Sequence, residues 1–197
     1  MIENNNEKIL ILDFGSQYAQ LIARRVRENN VFSEIVSHNI TANEIRQINP
    51  KGIILSGGPA SVYVNNAPKC ETAIINLGIP VLGICYGMQL GCQMLGATVK
   101  PTKTREYGRT SCIVNNNSIL FKSLSKDIVV WMSHGDQVVE LPQEFESIAH
   151  TNNCPYAAIK HKHKAFYGVQ FHPEVTHTPL GINIIRNFLY GICGCNG

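Results

Sequence analysis

Three short stretches of the chain hold residue types that together could cleave an amide. In Gly83-Ile84-Cys85-Tyr86-Gly87 a cysteine stands between two glycines, two positions away on each side. A sharp strand-to-helix turn gives a nucleophile this setting. It strains the central residue and crowds the neighbouring backbones, so the flanking positions tolerate little more than a hydrogen. Such a turn also sets the sulfur at a helix N-terminus, where free N–H groups and the helix dipole favour thiolate over thiol. A lone cysteine is more often a small buried apolar residue. The turn pattern, moreover, does not separate one kind of cysteine hydrolase from another, or from a non-catalytic protein built on the same elbow.

The second stretch is Gln170-Phe171-His172-Pro173-Glu174. In an extended segment residues two apart share a face, so His172 and Glu174 can point together toward a thiol. His172 would handle protons and Glu174 would fix its tautomer and stabilise the imidazolium. The third stretch, Ser56-Gly57-Gly58-Pro59, exposes backbone N–H groups with no side chain in the way. It suits an oxyanion hole, with one donor at the Gly58 N–H and the other at the Tyr86 N–H that follows the nucleophile. A phosphate-binding loop fits less well, because Pro59 removes a donor and no lysine follows at the required spacing.

These stretches need a scaffold that converges them. Lys8 to Asp13, Gly52 to Leu55 and Val81 to Ile84 are short apolar runs bounded by turn residues, as expected of strands buried on both faces. Helical spacing appears from Gln17 to Glu28, after the Thr41-Ala42-Asn43-Glu44 capping box, and over Met88 to Leu95. The alternation predicts an α/β fold with an open, mostly parallel, doubly wound, flavodoxin-like sheet flanked by helices. Beyond about Ala97 the pattern shifts to β-like pieces at Arg109 to Val114, Ile128 to Trp131, Phe145 to His150, Ala157 to His161 and Ala165 to Gln170. These predict a small antiparallel extension, before Gly181 to Tyr190 returns to helical spacing. The 197 residues read as a single domain, 1–197.

Bulk properties narrow the partners. The net charge of +3 is small and the cations are scattered, so no nucleic-acid footprint is expected. No apolar run reaches the roughly 20 residues of a membrane span, and Met1 to Lys8 lacks the apolar core of a secretory signal, which points to the cytoplasm. Seven cysteines at irregular spacing argue for reduced thiols. Cys193-Gly194-Cys195 lacks a second ligand pair for structural zinc, and His161, His163, His172 and His177 lack the helical spacing of zinc hydrolases, so no metal is expected.

With all three stretches in view, the order and spacing of Cys85, His172-Pro173-Glu174 and Ser56-Gly57-Gly58-Pro59 resemble those of class I glutamine amidotransferases, over essentially the whole chain. Within that family, Asp13-Phe14-Gly15-Ser16-Gln17-Tyr18, Arg105-Glu106-Tyr107-Gly108, Trp131-Met132-Ser133-His134-Gly135-Asp136 and His172 to Thr178 resemble the amidotransferase part of GMP synthetases. The resemblance implies hydrolysis of glutamine to glutamate and ammonia by a Cys85, His172, Glu174 triad. It also implies that Gln89, Ser133, Gly135 and Asp136 hold the amino-acid end of glutamine, with Gly135 giving close backbone approach and Asp136 facing the ammonium. The implied partner is an ATP-pyrophosphatase synthetase domain or subunit, absent from this chain, that aminates XMP to GMP. ATP and Mg would belong to that partner, and this domain would need no cofactor. The rivals are an amidotransferase of another pathway, such as anthranilate or carbamoyl phosphate synthesis, and a non-catalytic redox or chaperone-like protein of the same fold.

Overall fold

The computed structural model describes residues 7–197, with the side chain of Lys103 excepted; the first six residues of the polar Met1 to Lys8 stretch lie outside the described residues. Strand β1 (Lys8–Asp13) leads through helix α1 (Ala19–Glu28) to β2 (Phe32–Ser37), and α2 (Ala42–Ile48) leads to β3 (Gly52–Leu55). Next come β4 (Val81–Ile84), α3 (Tyr86–Met94), β5 (Thr98–Val114), β6 (Asp127–Glu140), β7 (Phe145–His150), β8 (Ala158–His161), β9 (Phe166–Val169) and α4 (Gly181–Arg186). The last helix runs on into a π-helical turn, Asn187–Ile192.

One nine-stranded sheet takes the order β2-β1-β3-β4-β9-β8-β7-β5-β6. Its first five strands pair in parallel and the other four are joined antiparallel. This is the doubly wound sheet with an antiparallel extension that the sequence predicts. The three apolar runs are strands with the bounds expected of them. They are apolar throughout because successive residues feed opposite cores. Ile9 and Ile11 pack with Ile22, Val26, Ile184 and Phe188 on one face, while Leu10 and Leu12 pack with Ile45, Ile74 and Leu90 on the other. Thr41 and Glu44 close the expected reciprocal capping box at the start of α2.

Two differences matter. No strand is expected at Phe32–Ser37, yet this half-apolar, half-exposed segment forms the sheet edge by pairing with β1. Ile128 to Trp131 is only the first part of β6, which continues to Glu140 and carries Ser133–Asp136 as extended strand paired with β5. Both outcomes depend on a neighbouring strand, which satisfies backbone groups irrespective of side-chain type.

Candidate active site

The carboxyl ends of β1, β3, β4 and β9 meet at one edge of the sheet, where open α/β folds place ligands. A cavity of about 780 Å³ opens there, lined among others by Gly58, Cys85, Tyr86, Gln89, Ser133, Gly135, Asp136 and His172. All the expected site residues except buried Glu174 therefore line one space, although they come from stretches far apart in the chain.

Cys85 sits at φ 51° and ψ −107°, left-handed backbone that a residue with a side chain adopts only under constraint. Its N–H is held by the Val169 carbonyl at 2.8 Å. The flanking glycines are required sterically. A Cβ on Gly83 would lie 2.6 Å from the Gly87 oxygen, and one on Gly87 would lie 2.3 Å from the Leu55 oxygen. The sulfur lies 3.8 Å from the Ser133 carbonyl oxygen and 3.6 Å from the Gln170 amide nitrogen. Burial pushes the other thiols up: Cys70 and Cys195 to about 11, Cys112 and Cys154 to about 12, and Cys92 and Cys193 further still. Those six are held as inert thiols.

His172 Nδ1 is 2.8 Å from a carboxylate oxygen of Glu174, which is fully buried. This contact fixes the ring and leaves Nε2 for Cys85. Burial works against a charge on the ring. Hydrogen bonding to Cys85 and Glu174 outweighs it and pushes the imidazole up to about 11. Because the folded ring keeps its proton more tightly than an ordinary imidazole near 6.5, the stability it contributes is complete below about pH 6.5. That stability drains as pH rises toward about 11. Denaturant midpoints should therefore fall between pH 6.5 and 10 in the unaltered chain, and fall less in Glu174→Gln; equal slopes would refute the coupling.

The His172 backbone is clamped as well. Its N–H donates to the Trp131 carbonyl at 3.0 Å, and its carbonyl accepts from the Thr178 hydroxyl at 2.7 Å. The same hydroxyl accepts from the Trp131 N–H at 3.0 Å. Arg25 from α1 donates to the Glu174 carbonyl at 2.9 Å. Thr178→Val keeps the shape but orphans a partly buried N–H and a buried carbonyl. It should cost about 1–3 kcal/mol of stability and lower kcat about ten-fold; unchanged kcat in glutamate-release assays would show that the clamp does not position the ring.

Gly58 packs where a Cβ would lie 2.7 Å from the Phe14 oxygen, and among the described residues no acceptor is paired with its N–H. Tyr86 is the first residue of α3, so its N–H has no intrahelical partner either. Ser56, which precedes these glycines, is buried and structural: its hydroxyl accepts from the Phe14 N–H and donates to the Gly57 carbonyl.

The residues expected to hold glutamine make contacts of their own within the protein. Gln89 is buried and not a surface residue of its helix, and its amide nitrogen donates to the Asp136 carbonyl at 2.8 Å. The Asp136 carboxylate accepts from the Ser61 and Tyr63 hydroxyls at the cavity rim. Gly135 is not forced to be glycine by protein contacts, since a Cβ there would lie 3.6 Å from Arg105 Nε. Sequence reasoning missed Thr178, Arg25, Ser61, Tyr63 and Gln170. Two of them carried a signal: Gln170 stands two residues before His172, and Thr178 closes the His172 to Thr178 stretch that resembles GMP synthetases.

Behind this strand, His134 Nε2, Glu106 and the Cys154 sulfur lie within 4.8 Å of one another. It is the one group of metal-ligand type among the described residues. Both Glu106 oxygens are already engaged, at 3.2 Å from His134 and 2.8 Å from the Thr151 hydroxyl, and His134 Nδ1 reaches the Asp136 carbonyl at 3.1 Å. The cluster braces β5 against β6. Burial pushes the His134 imidazole down in spite of Glu106.

Comparison with known proteins agrees with this geometry. The chain is 59% identical over 190 residues to the GMP synthase [glutamine-hydrolyzing] of Caldanaerobacter subterraneus subsp. tengcongensis, covering 96% of this chain and 37% of the relative. It is 55% identical over 193 residues to that of Acetivibrio thermocellus, covering 98% of this chain and 38% of the relative. The chain thus spans little more than a third of the length of these curated relatives. Among solved structures, a protein of Thermoplasma acidophilum, described provisionally as one subunit of a GMP synthase, superposes with TM-score 0.86 at 33% identity, covering 95% of this chain and 94% of that one. A glutamine amidotransferase from Thermotoga maritima shares the fold, with TM-score 0.78 at 17% identity, covering 96% of this chain and 99% of its own. The family model for class I glutamine amidotransferases matches residues 10–192, which takes in every residue of the cavity described above, and the chain belongs to that family.

Proposed function

We propose that the chain releases ammonia from glutamine through a thioester on Cys85 and passes it to an ATP-using synthetase that aminates XMP to GMP. The Cys85 thiolate attacks the side-chain carbonyl carbon, and the Gly58 and Tyr86 N–H groups hold the resulting oxyanion. His172 gives its Nε2 proton to the departing nitrogen, which leaves as ammonia. A γ-glutamyl thioester remains. His172 then takes a proton from water, the resulting hydroxide attacks the thioester, and glutamate leaves with the thiolate restored. Glu174 keeps the ring oriented and offsets its charge. Gln89, Ser133, Gly135 and Asp136 grip the amino-acid end of the substrate, the Asp136 carboxylate lying beside the ammonium.

The observation that carries this reading is a cysteine held at an elbow in the same cavity as an imidazole tied at 2.8 Å to a buried carboxylate. The pathway rests on likeness to GMP synthases. On this reading the synthetase is a further domain or a separate polypeptide, ATP and Mg act there, and this domain works without a cofactor. Seven free thiols favour a reducing, cytoplasmic setting, and among the described residues no helix is long and apolar enough to cross a membrane.

Incubation with glutamine should yield glutamate and ammonia in equal amounts, faster when a synthetase is added. Hydroxylamine should divert part of the product to γ-glutamyl hydroxamate by intercepting the thioester. Glutamate release with no hydroxamate at saturating hydroxylamine would argue for direct attack by water.

A further inference from the structure

The Cys85 sulfur has one neighbour to which the reaction above gives no task. Gln170 is fully buried, with its Nε2 3.6 Å from the sulfur and its Oε1 3.1 Å from the Gln89 Nε2. A side-chain amide has a donor end and an acceptor end, and which faces which follows from its partners. Here the partners leave no choice. The Asp136 backbone carbonyl can only accept, so the Gln89 group 2.8 Å from it must be the NH₂. The second N–H of that NH₂ meets Gln170 and therefore requires an oxygen there. The remaining terminal atom of Gln170, the one against the sulfur, is then its NH₂. Turning Gln89 over would set its oxygen against the Asp136 carbonyl and the Gln170 oxygen, and turning Gln170 over would set two NH₂ groups against each other, in either case with no matching partner in a buried site.

We infer that Gln170 is a built-in donor to the Cys85 thiolate, its orientation locked through Gln89 by the Asp136 backbone. The inference rests on the reading of Cys85 as nucleophile. Its chemistry is one-sided. As a thiol, Cys85 can donate to the Ser133 carbonyl at 3.8 Å. On ionisation that contact turns repulsive, while the N–H of Gln170 becomes a charge-assisted donor to the anion. A donor that cannot turn its oxygen toward the sulfur therefore biases the side chain toward the reactive form before substrate arrives. It comes from the stretch that carries His172 and Glu174, two residues ahead of the base.

The test is the pH dependence of Cys85 alkylation by iodoacetamide in the 197-residue chain without glutamine, read peptide by peptide so that the other six thiols are scored separately. In Gln170→Met, close in shape but without the donor, the midpoint of the rate profile should rise by about one pH unit, a roughly ten-fold slower reaction at pH values below both midpoints. Gln89→Met, which frees Gln170 to turn, should move the midpoint the same way by a smaller amount. A purely structural role would lower stability without moving this midpoint. An unmoved midpoint in folded Gln170→Met overturns the proposal; should that variant not fold, an unmoved midpoint in Gln89→Met overturns it instead. A Cys85 that alkylates no faster than the buried thiols in the unaltered chain would remove the nucleophile reading and this inference with it.

Discussion

Cys85→Ala should abolish glutamine hydrolysis, lowering kcat by at least about 10⁴-fold, with the thermal transition left within a few degrees of its original position. The loss is large because the substitution removes the covalent route itself. The Gly58 and Tyr86 donors and the imidazole remain, but an oxyanion hole and a base acting on water alone recover only a small part of the rate. Stability should hold because alanine keeps the Cβ, so the φ of 51° costs the same in both chains. The buried sulfur is small, and the cavity beside it already admits solvent. Glutamate release measured against enzyme confirmed by peptide mass to carry alanine is the decisive assay. Sustained turnover there would remove Cys85 from the mechanism whatever the geometry around it.

Gly181→Ala should be nearly as damaging, though residue 181 touches no substrate. A Cβ at this first residue of α4 would lie 1.9 Å from the Pro173 oxygen, 2.7 Å from its carbonyl carbon and 3.0 Å from its Cα. All three atoms are backbone, so no rotamer change relieves the overlap. Either α4 lifts off the sheet or Pro173 retreats, and Pro173 sits between His172 and Glu174. The cost should be about 3 kcal/mol of stability together with roughly 10²-fold in kcat, since displacing a catalytic group by about 1 Å has that effect. Gly78→Ala supplies the contrast. Gly78 has φ +77° but nothing within 4 Å of a new Cβ, so it should cost only about 1–2 kcal/mol of backbone strain and leave kcat alone. If the two variants behaved alike in unfolding and turnover, the steric link between α4 and the His-Pro-Glu segment would be wrong.

Some of this site was legible because its constraints are local. The elbow announces itself through Gly83 and Gly87, whose missing Cβ atoms make room for backbone only a few residues away or on the adjoining strand. The pairing of His172 with Glu174 is expected from the two-residue period of extended chain, yet β9 ends at Val169 and it is a turn at Pro173 and Glu174 that brings the two side chains to 2.8 Å. That period, applied backward, also reaches Gln170, but a glutamine has no chemistry of its own to draw attention until its neighbours are known. Thr178 gave no such local signal beyond closing the stretch that resembles GMP synthetases. Its hydroxyl matters only because it bridges His172 and Trp131, which are brought together across the fold.

From residue types and short spacings alone came the parallel sheet, the elbow, the triad candidates and the glycine-rich donor loop, because each is set by contacts within a few residues or by a strand whose two faces are both buried. The tertiary structure alone decided that Phe32–Ser37 forms the sheet edge and that Ser133–Asp136 is strand lying over the nucleophile. It alone turned Gln89 inward, with Gln170 locked behind the sulfur. The two strands rest on pairing with neighbours distant in the chain, and the Gln89 and Gln170 contacts on hydrogen bonds between residues 47 to 85 positions apart. Backbone and amide groups make such bonds with any suitable partner the fold delivers, so no local pattern encodes them.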